Sequence, residues 1–235
     1  MQRYFVKNKR EDYLELEKSD VHHIKNVMRY SILDKIECVY DGILYLCEIV
    51  DLSSEWVHIL SSMEKINSNT PRLAVAIALV KEQKMDLILQ KLTELGVSEI
   101  IPVMMERCVV KISEEKVSKK MERWRKICKE ASEQSKRVDI PLVYRPIMID
   151  ELAGISYERK FVCSTKKMQI LDVDYFQSFK ESSDFIFVIG PEGGLTNREE
   201  EKLFSFGYSP VSFGSLIMRV ETAAIYVASI VNFMK

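Results

Sequence analysis

The residues best suited to chemistry sit in Gly190-Pro191-Glu192-Gly193-Gly194, which gathers three of the chain's eight glycines into five positions. Glycine lets a backbone come close to a ligand and adopt turns that other residues resist. The apolar run Phe185–Ile189 precedes this segment, and Thr196-Asn197-Arg198-Glu199 follows with the spacing of a helix capping box. A buried strand, a glycine-rich loop and a helix start are therefore expected in that order. In an open α/β sheet, ligands bind beyond the carboxyl ends of the strands. The loop taken alone is also compatible with a tight connection and nothing more. It fits neither a P-loop nor a G-x-G-x-x-G turn, because the spacing differs and no Lys-Ser/Thr follows. A second loop, Ser212 to Ala224, leads from an apolar segment to Arg219 and Glu221 at a helix start. Those charges suit a solvated helix end, where Glu221 would complement the dipole. Two such loops at neighbouring strand ends would instead make one pocket.

The elements that must position these loops can be read from periodicity. Leu73–Val80 is a continuous apolar run, as expected of a strand buried on both faces. Lys84–Leu95 carries Met85, Ile88, Leu89, Leu92 and Leu95 at helical spacing, with Gly96 as its stop. Val97–Met104 reads as the next strand, and Ser113 caps a long helix to about residue 134. Phe161–Ser164, Phe185–Ile189 and Ser209–Phe213 are further strands, and a helix from Glu221 to Phe233 closes the chain. Strands alternating with helices predict an α/β class with a mostly parallel sheet.

Before residue 70 the pattern is different. Ile36–Tyr40 and Ile43–Val50 flank Asp41-Gly42, a strong two-residue hairpin signal. Trp56–Leu60 adds a strand, and Asp20–Arg29 reads as a short helix with Val21, Ile24, Val27 and Met28 on one face. These predict a small barrel, with Ser61–Pro71 as the linker.

Composition narrows the function classes. No apolar run reaches the roughly 20 residues that span a bilayer, and the N-terminus lacks a signal-peptide pattern, so a cytoplasmic, non-membrane protein is expected. The five cysteines form no C-x-x-C pair and read as reduced thiols. The three histidines offer no i, i+4 zinc pair, so no metal is expected. Lys plus Arg number 34 against 35 Asp plus Glu, so any RNA contact must be local rather than driven by bulk charge.

Several motifs in matching order carry a resemblance. Arg3-Tyr4-Phe5, His23–Arg29, the Asp41-Gly42 turn, Lys84-Met85-Asp86 with Gln90-Lys91, and Glu94–Val97 come first. Glu106–Lys111, Glu130-Ala131, Glu133-Gln134, the GPEGG loop and Arg219-x-Glu221-Thr222-Ala223 complete the series. Over nearly its whole length the chain resembles the RsmE family of small-subunit rRNA uridine-N3 methyltransferases, within the knotted SPOUT superfamily. The resemblance implies a PUA-like β-barrel over residues 1–70, which binds RNA. It implies a SPOUT α/β trefoil-knot methyltransferase domain over 71–235, which forms a homodimer. It implies S-adenosyl-L-methionine as cofactor, held by Thr165 (with Ser164 nearby), Ile189, Gly190, Pro191, Glu192, Gly193, Gly194, Phe213, Gly214, Leu216, Ile217 and Met218. The substrate partner would be 16S rRNA or the small ribosomal subunit. Leu216 stands where family members often carry a basic residue, Lys136 replaces a usual Gly, and Cys108 a usual Ser.

On that reading Arg219 and Glu221 are the catalytic residues. Arg219 would stabilise negative charge on the uracil, and Glu221 or Glu192, with Glu94 behind them, would take the N3 proton. A carboxylate needs a raised pKa to do this well. Candidate RNA contacts are Arg3, Arg10, Lys25, Arg29, Lys81, Lys84, Arg107 and Lys111, each of which would neutralise phosphate. His22 and His23 read as packing or cap residues. The rivals are an RNA-binding or ribosome-assembly protein without methyl transfer, a nucleotide-binding transferase, and a methyltransferase acting on another RNA nucleotide.

Overall fold

The N-terminal strands are β1 (Arg3–Phe5), β2 (Asn8–Arg10), β3 (Tyr13–Glu15), β4 (Lys35–Tyr40), β5 (Ile43–Glu48) and β6 (Trp56–Ser62). They form one sheet in the order β1-β4-β5-β6-β3-β2, in which only β1 and β4 run parallel. The structure, a computed structural model, describes residues 1–63, 72–164, 184–212 and 214–233. Asp41 and Gly42 both take positive φ, 49° and 73°, as a two-residue hairpin turn requires. The sheet curls around Tyr4, Leu14, Ile36, Cys38, Cys47 and Val57.

The helix expected over Asp20–Arg29 takes another form. A short helix α1 (Lys18–His22) gives way to a π-turn over His23–Val27. The extra residue per turn changes which side chains face the core, so Ile24 stays buried while Val27 is 61% exposed and Met28 37%. His23 packs as expected, its Nδ1 lying 3.0 Å from the Tyr4 hydroxyl. Of the expected linker, Ser61 and Ser62 belong to β6, and residues 64–71 lie outside the described residues.

The chain divides into two compact units, Met1–Ser68 with Lys129–Ile140, and Asn69–Cys128 with Pro141–Lys235. A boundary read from composition does not assign 129–140 to the first unit, because charge pairs remote in sequence fix that segment. Lys129 reaches both oxygens of Asp20 at 2.9 Å, and Glu133 accepts from the Phe5 amide at 3.3 Å.

The second unit contains β7 (Leu73–Ala78), α2 (Glu82–Glu94), β8 (Glu99–Met104), β9 (Leu142–Val143), β10 (Ile147–Met148), β11 (Arg159–Cys163) and β12 (Phe185–Ile189). It ends with α4 (Asn197–Ser205), β13 (Ser209–Val211) and α5 (Val220–Phe233). A third helix, α3 (Glu114–Gln134), precedes β9. The sheet order is β10-β8-β7-β12-β11-β13 and its pairs are parallel. Every residue of β7 and β12 is buried, as expected for strands covered on both faces. Met85, Ile88, Leu89 and Leu92 of α2 are each no more than 1% exposed, and Gly96 takes φ +77° just beyond it.

Candidate functional site

Register brings the two loops together. Across the sheet, Ile77, Ile189, Cys163 and Val211 lie side by side at the carboxyl ends of β7, β12, β11 and β13. The residues leaving the last three of these strands, Gly190, Ser164 and Ser212, are therefore neighbours, and the Ser164 amide donates to the Val211 carbonyl at 2.9 Å. A cavity of about 450 Å³ opens at this edge, within the range of small-molecule sites. Its wall includes Ile189 to Leu195 on one side and Leu216 to Val220 on the other, with Arg107, Cys163, Ser164, Glu200 and Ser212.

The glycine loop is held from several directions. A Cβ on Gly190 would stand 3.0 Å from Leu195 Cγ, so the loop folds back on itself and an added methyl would force Leu195 to shift. A Cβ on Gly193 would meet Arg107 Cβ at 3.3 Å, and the Arg107 guanidinium donates to the Gly193 carbonyl at 2.8 Å. The capping box forms as the spacing predicts. Thr196 Oγ1 accepts from the Glu199 amide at 3.2 Å, and Glu199 Oε2 accepts from the Thr196 amide at 2.8 Å. The other oxygen of Glu199 accepts from the Glu106 amide, which ties α4 to the segment after β8.

The charges are arranged less simply than the sequence implied. Lys84 Nζ lies 2.8 Å from Glu192 and 3.5 Å from Glu221. The Lys84 hydrogen bond holds the Glu192 carboxyl below its usual range, which opposes the raised pKa expected of a base. Glu221 is absent from the cavity wall. Its carboxylate turns toward Lys84, and its buried Oε2 lies within ion-pair distance without forming a hydrogen bond. Glu94 pairs with Lys91 at 2.8 Å and does not line the cavity. Arg219 does line it, exposed, and its side chain makes no hydrogen bond or ion pair among the described residues. Burial pushes the Cys163 thiol up to about 12, so this wall residue stays protonated rather than nucleophilic.

Comparison with known proteins fits this geometry. The family model for an RNA methyltransferase domain matches residues 67–232, and that for an RNA methyltransferase PUA domain matches residues 16–59. Ribosomal RNA small subunit methyltransferase E of Bacillus subtilis is 34% identical over 99% of this chain and 96% of its own length. This chain belongs to that family. Its relative in Mesomycoplasma hyopneumoniae is 30% identical, covering 96% of each chain. Among solved structures, methyltransferase E from Neisseria gonorrhoeae bound to S-adenosylmethionine superposes with a TM-score of 0.86. That match has 26% identity and covers 100% of this chain and 98% of that one. A protein from Legionella pneumophila solved in complex with the bound cofactor SAM gives a TM-score of 0.88 at 28% identity, over 99% and 97% of the two chains.

In this methyltransferase E family member, Ile189 to Gly194 and Leu216 to Met218 come together as one wall. Gly214 is described, with φ +109°, but does not line the cavity. Thr165 and Phe213 lie outside the described residues. Sequence reasoning missed Cys163 and Glu200, and gave Ser212 only as the start of the second loop. Glu200 sits in an acidic run that reads as a solvated first turn, yet it is 8% exposed and accepts from Ser164 Oγ at 2.8 Å. Only the packing of α4 against the end of β11 makes that pairing visible.

Three expected RNA contacts are engaged elsewhere. Arg3 is 6% exposed, with Nε 2.9 Å from Glu37 and Nη1 donating to the Arg137 carbonyl at 3.1 Å, so it has no surface to offer a phosphate. Lys84 faces two carboxylates, and Arg107 braces the glycine loop. Arg10, Lys25, Arg29, Lys81 and Lys111 are exposed, and Arg10 lies over the Trp56 ring at 5.1 Å. Among the described residues, no helix is long and apolar enough to cross a membrane.

Proposed function

We propose that this protein methylates N3 of a uridine in 16S rRNA with S-adenosylmethionine as donor. The observation that carries the reading is the cavity at the aligned ends of β11, β12 and β13, walled by the glycine loop and the segment before α5. Its volume, its close-approach glycines and the apolar Leu216–Met218 segment fit a nucleoside cofactor held mainly by backbone groups. Related proteins solved with that cofactor support the same assignment.

When bound, the cofactor supplies a methyl group activated by a positively charged sulfur. The protein's share is to position the acceptor and make N3 reactive, and positioning contributes about 7–11 kcal/mol in favourable cases. Arg219, unpaired at the cavity wall, stabilises the negative charge that appears on the uracil as its imide proton leaves. Glu192 is ionised on the same wall but is a weakened base, so the larger burden falls on Arg219. Methylation at a pyrimidine carbon would call for a thiolate adding to the ring, and the protonated Cys163 does not supply one.

Arg10, Lys25, Arg29, Lys81 and Lys111 are assigned to RNA phosphates of the small subunit. The N-terminal unit is taken as an RNA-binding PUA-like domain and the second as the methyltransferase, with cytoplasmic location following from the substrate. The knot expected of the superfamily would be built from the loops Ile189–Gly194 and Phe213–Met218, of which Phe213 lies outside the described residues. Homodimerisation is supported by exposed apolar residues of the second unit, Tyr226 at 41% and Phe233 at 87%. Light scattering of the purified protein at twice the chain mass would bear this out, and the monomer mass would refute it.

Mass spectrometry of 16S rRNA from a strain lacking the protein tests the main reading. One methylated uridine should disappear and return on treatment with the purified protein. Arg219→Ala should slow single-turnover methylation about 100-fold, in line with the loss of one preorganised charge-stabilising donor. An unchanged rate would remove Arg219 from the mechanism.

A further inference from the structure

Lys84 lies in the first turn of α2, where the positive end of the helix dipole disfavours a cation. Its position is explained by what it meets. Glu192 comes from the glycine loop and Glu221 from the first turn of α5, so one ammonium joins three elements that are remote in sequence. We infer that Lys84 is a positioning residue of the cofactor cavity, holding the glycine loop and the start of α5 together through Glu192 and Glu221. This rests on the reading of that cavity as the S-adenosylmethionine site and extends it to a residue outside the wall.

The pair with Glu221 matters most. Its side chain is 15% exposed and its buried Oε2 has no hydrogen-bond partner, so Lys84 is the counter-charge within reach. A nearly buried carboxylate that loses its counter-charge is destabilised where it stands and is driven toward water. Movement would carry along Met218, Arg219 and Val220, which line the cavity immediately before it. Glu192 responds in the same direction. Its carboxyl is held down first by the Lys84 hydrogen bond and, more weakly, by the charge of the exposed Lys81. The Lys84 ammonium is raised in turn, chiefly by Glu192. Arg107 supports the loop independently through the Gly193 carbonyl.

The test compares the wild type with Lys84→Met, Lys84→Arg and Glu192→Gln, using two measurements. In cofactor-free protein, amide exchange over residues 190–195 and 218–224 should quicken about tenfold in Lys84→Met, with Lys84→Arg near wild type. By calorimetry, S-adenosylmethionine should bind Lys84→Met about tenfold more weakly, with most of the affinity restored in Lys84→Arg. Glu192→Gln, which removes one contact from the other side, should move both quantities in the same direction by a smaller factor. Unchanged exchange in both segments overturns the inference. So does normal cofactor affinity with weakened RNA binding, which would return Lys84 to a phosphate contact, or a lowered melting temperature alone. A wild type that binds no cofactor while Lys84→Met still quickens exchange would leave the clamp standing and refute the functional reading.

Discussion

Gly190→Ala gives a sharp test of how the cavity is built. The added Cβ would sit 3.0 Å from Leu195 Cγ, 3.4 Å from the Leu195 amide nitrogen and 3.6 Å from Cδ2. Carbon atoms pack best at about 3.5–4.0 Å, so the methyl overlaps its neighbour by roughly half an ångström or more. Leu195 is 4% exposed within the core, which leaves it little room to yield. Overpacking of this kind costs about 1–3 kcal/mol. For a chain of this length, that lowers the melting temperature by about 2–12 °C. Relief by opening the loop would displace the backbone of residues 190–195, and misplacement on the order of 1 Å costs about 100-fold where position matters. Gly207→Ala is the control, away from the cavity wall. Gly207 has φ +85° with nothing within 4 Å of a new Cβ, so its cost is about 1–2 kcal/mol of backbone strain with no clash. Thermal melts and calorimetric titration with S-adenosylmethionine would be run on both variants. Gly190→Ala should lose cofactor affinity far out of proportion to its loss of stability, and Gly207→Ala should not. Equal cofactor affinity for Gly190→Ala and wild type would refute the claim that this loop's close approach shapes the site.

Two further outcomes concern a helix cap and a buried carboxyl. Thr196→Ala removes the capping oxygen from the Glu199 amide and should cost about 1 kcal/mol in urea unfolding, with Thr196→Ser restoring most of it. Glu133 has its carboxyl pushed up to about 7, mainly by burial. The folded state therefore holds this proton more tightly than the unfolded chain does, so Glu133 favours folding below its unfolded value near 4.5, and that contribution is lost as pH rises through about 7. Glu133→Gln should reduce the fall in stability between pH 5 and 8 by on the order of 2 kcal/mol. A pH dependence identical to wild type would contradict the assigned burial.

Much of the second unit is legible in the sequence because its signals are local. Leu73–Ala78 and Phe185–Ile189 are unbroken apolar runs, and Thr196–Glu199 carries its cap within four residues. Even the shared pocket follows once both glycine-containing loops leave parallel strands. What stays hidden depends on partners far along the chain. Nothing near Arg3 announces Glu37 or the carbonyl of residue 137, so a buried strut reads as a surface cation. Lys84 and Arg107 look like phosphate ligands until the fold sets them against Glu192 and Gly193. The π-turn at His23–Val27 is likewise invisible to a 3.6-residue period, because one extra residue shifts the inward-facing positions.

The central claim is that the glycine loop and the segment before α5 form a cofactor site. Titrating the purified protein with S-adenosylmethionine in a calorimeter, with ATP as a competitor, addresses it most directly. The account predicts saturable binding at one site per chain, undisturbed by ATP and weakened in Gly190→Ala. No measurable heat of binding, or displacement by ATP, would contradict it.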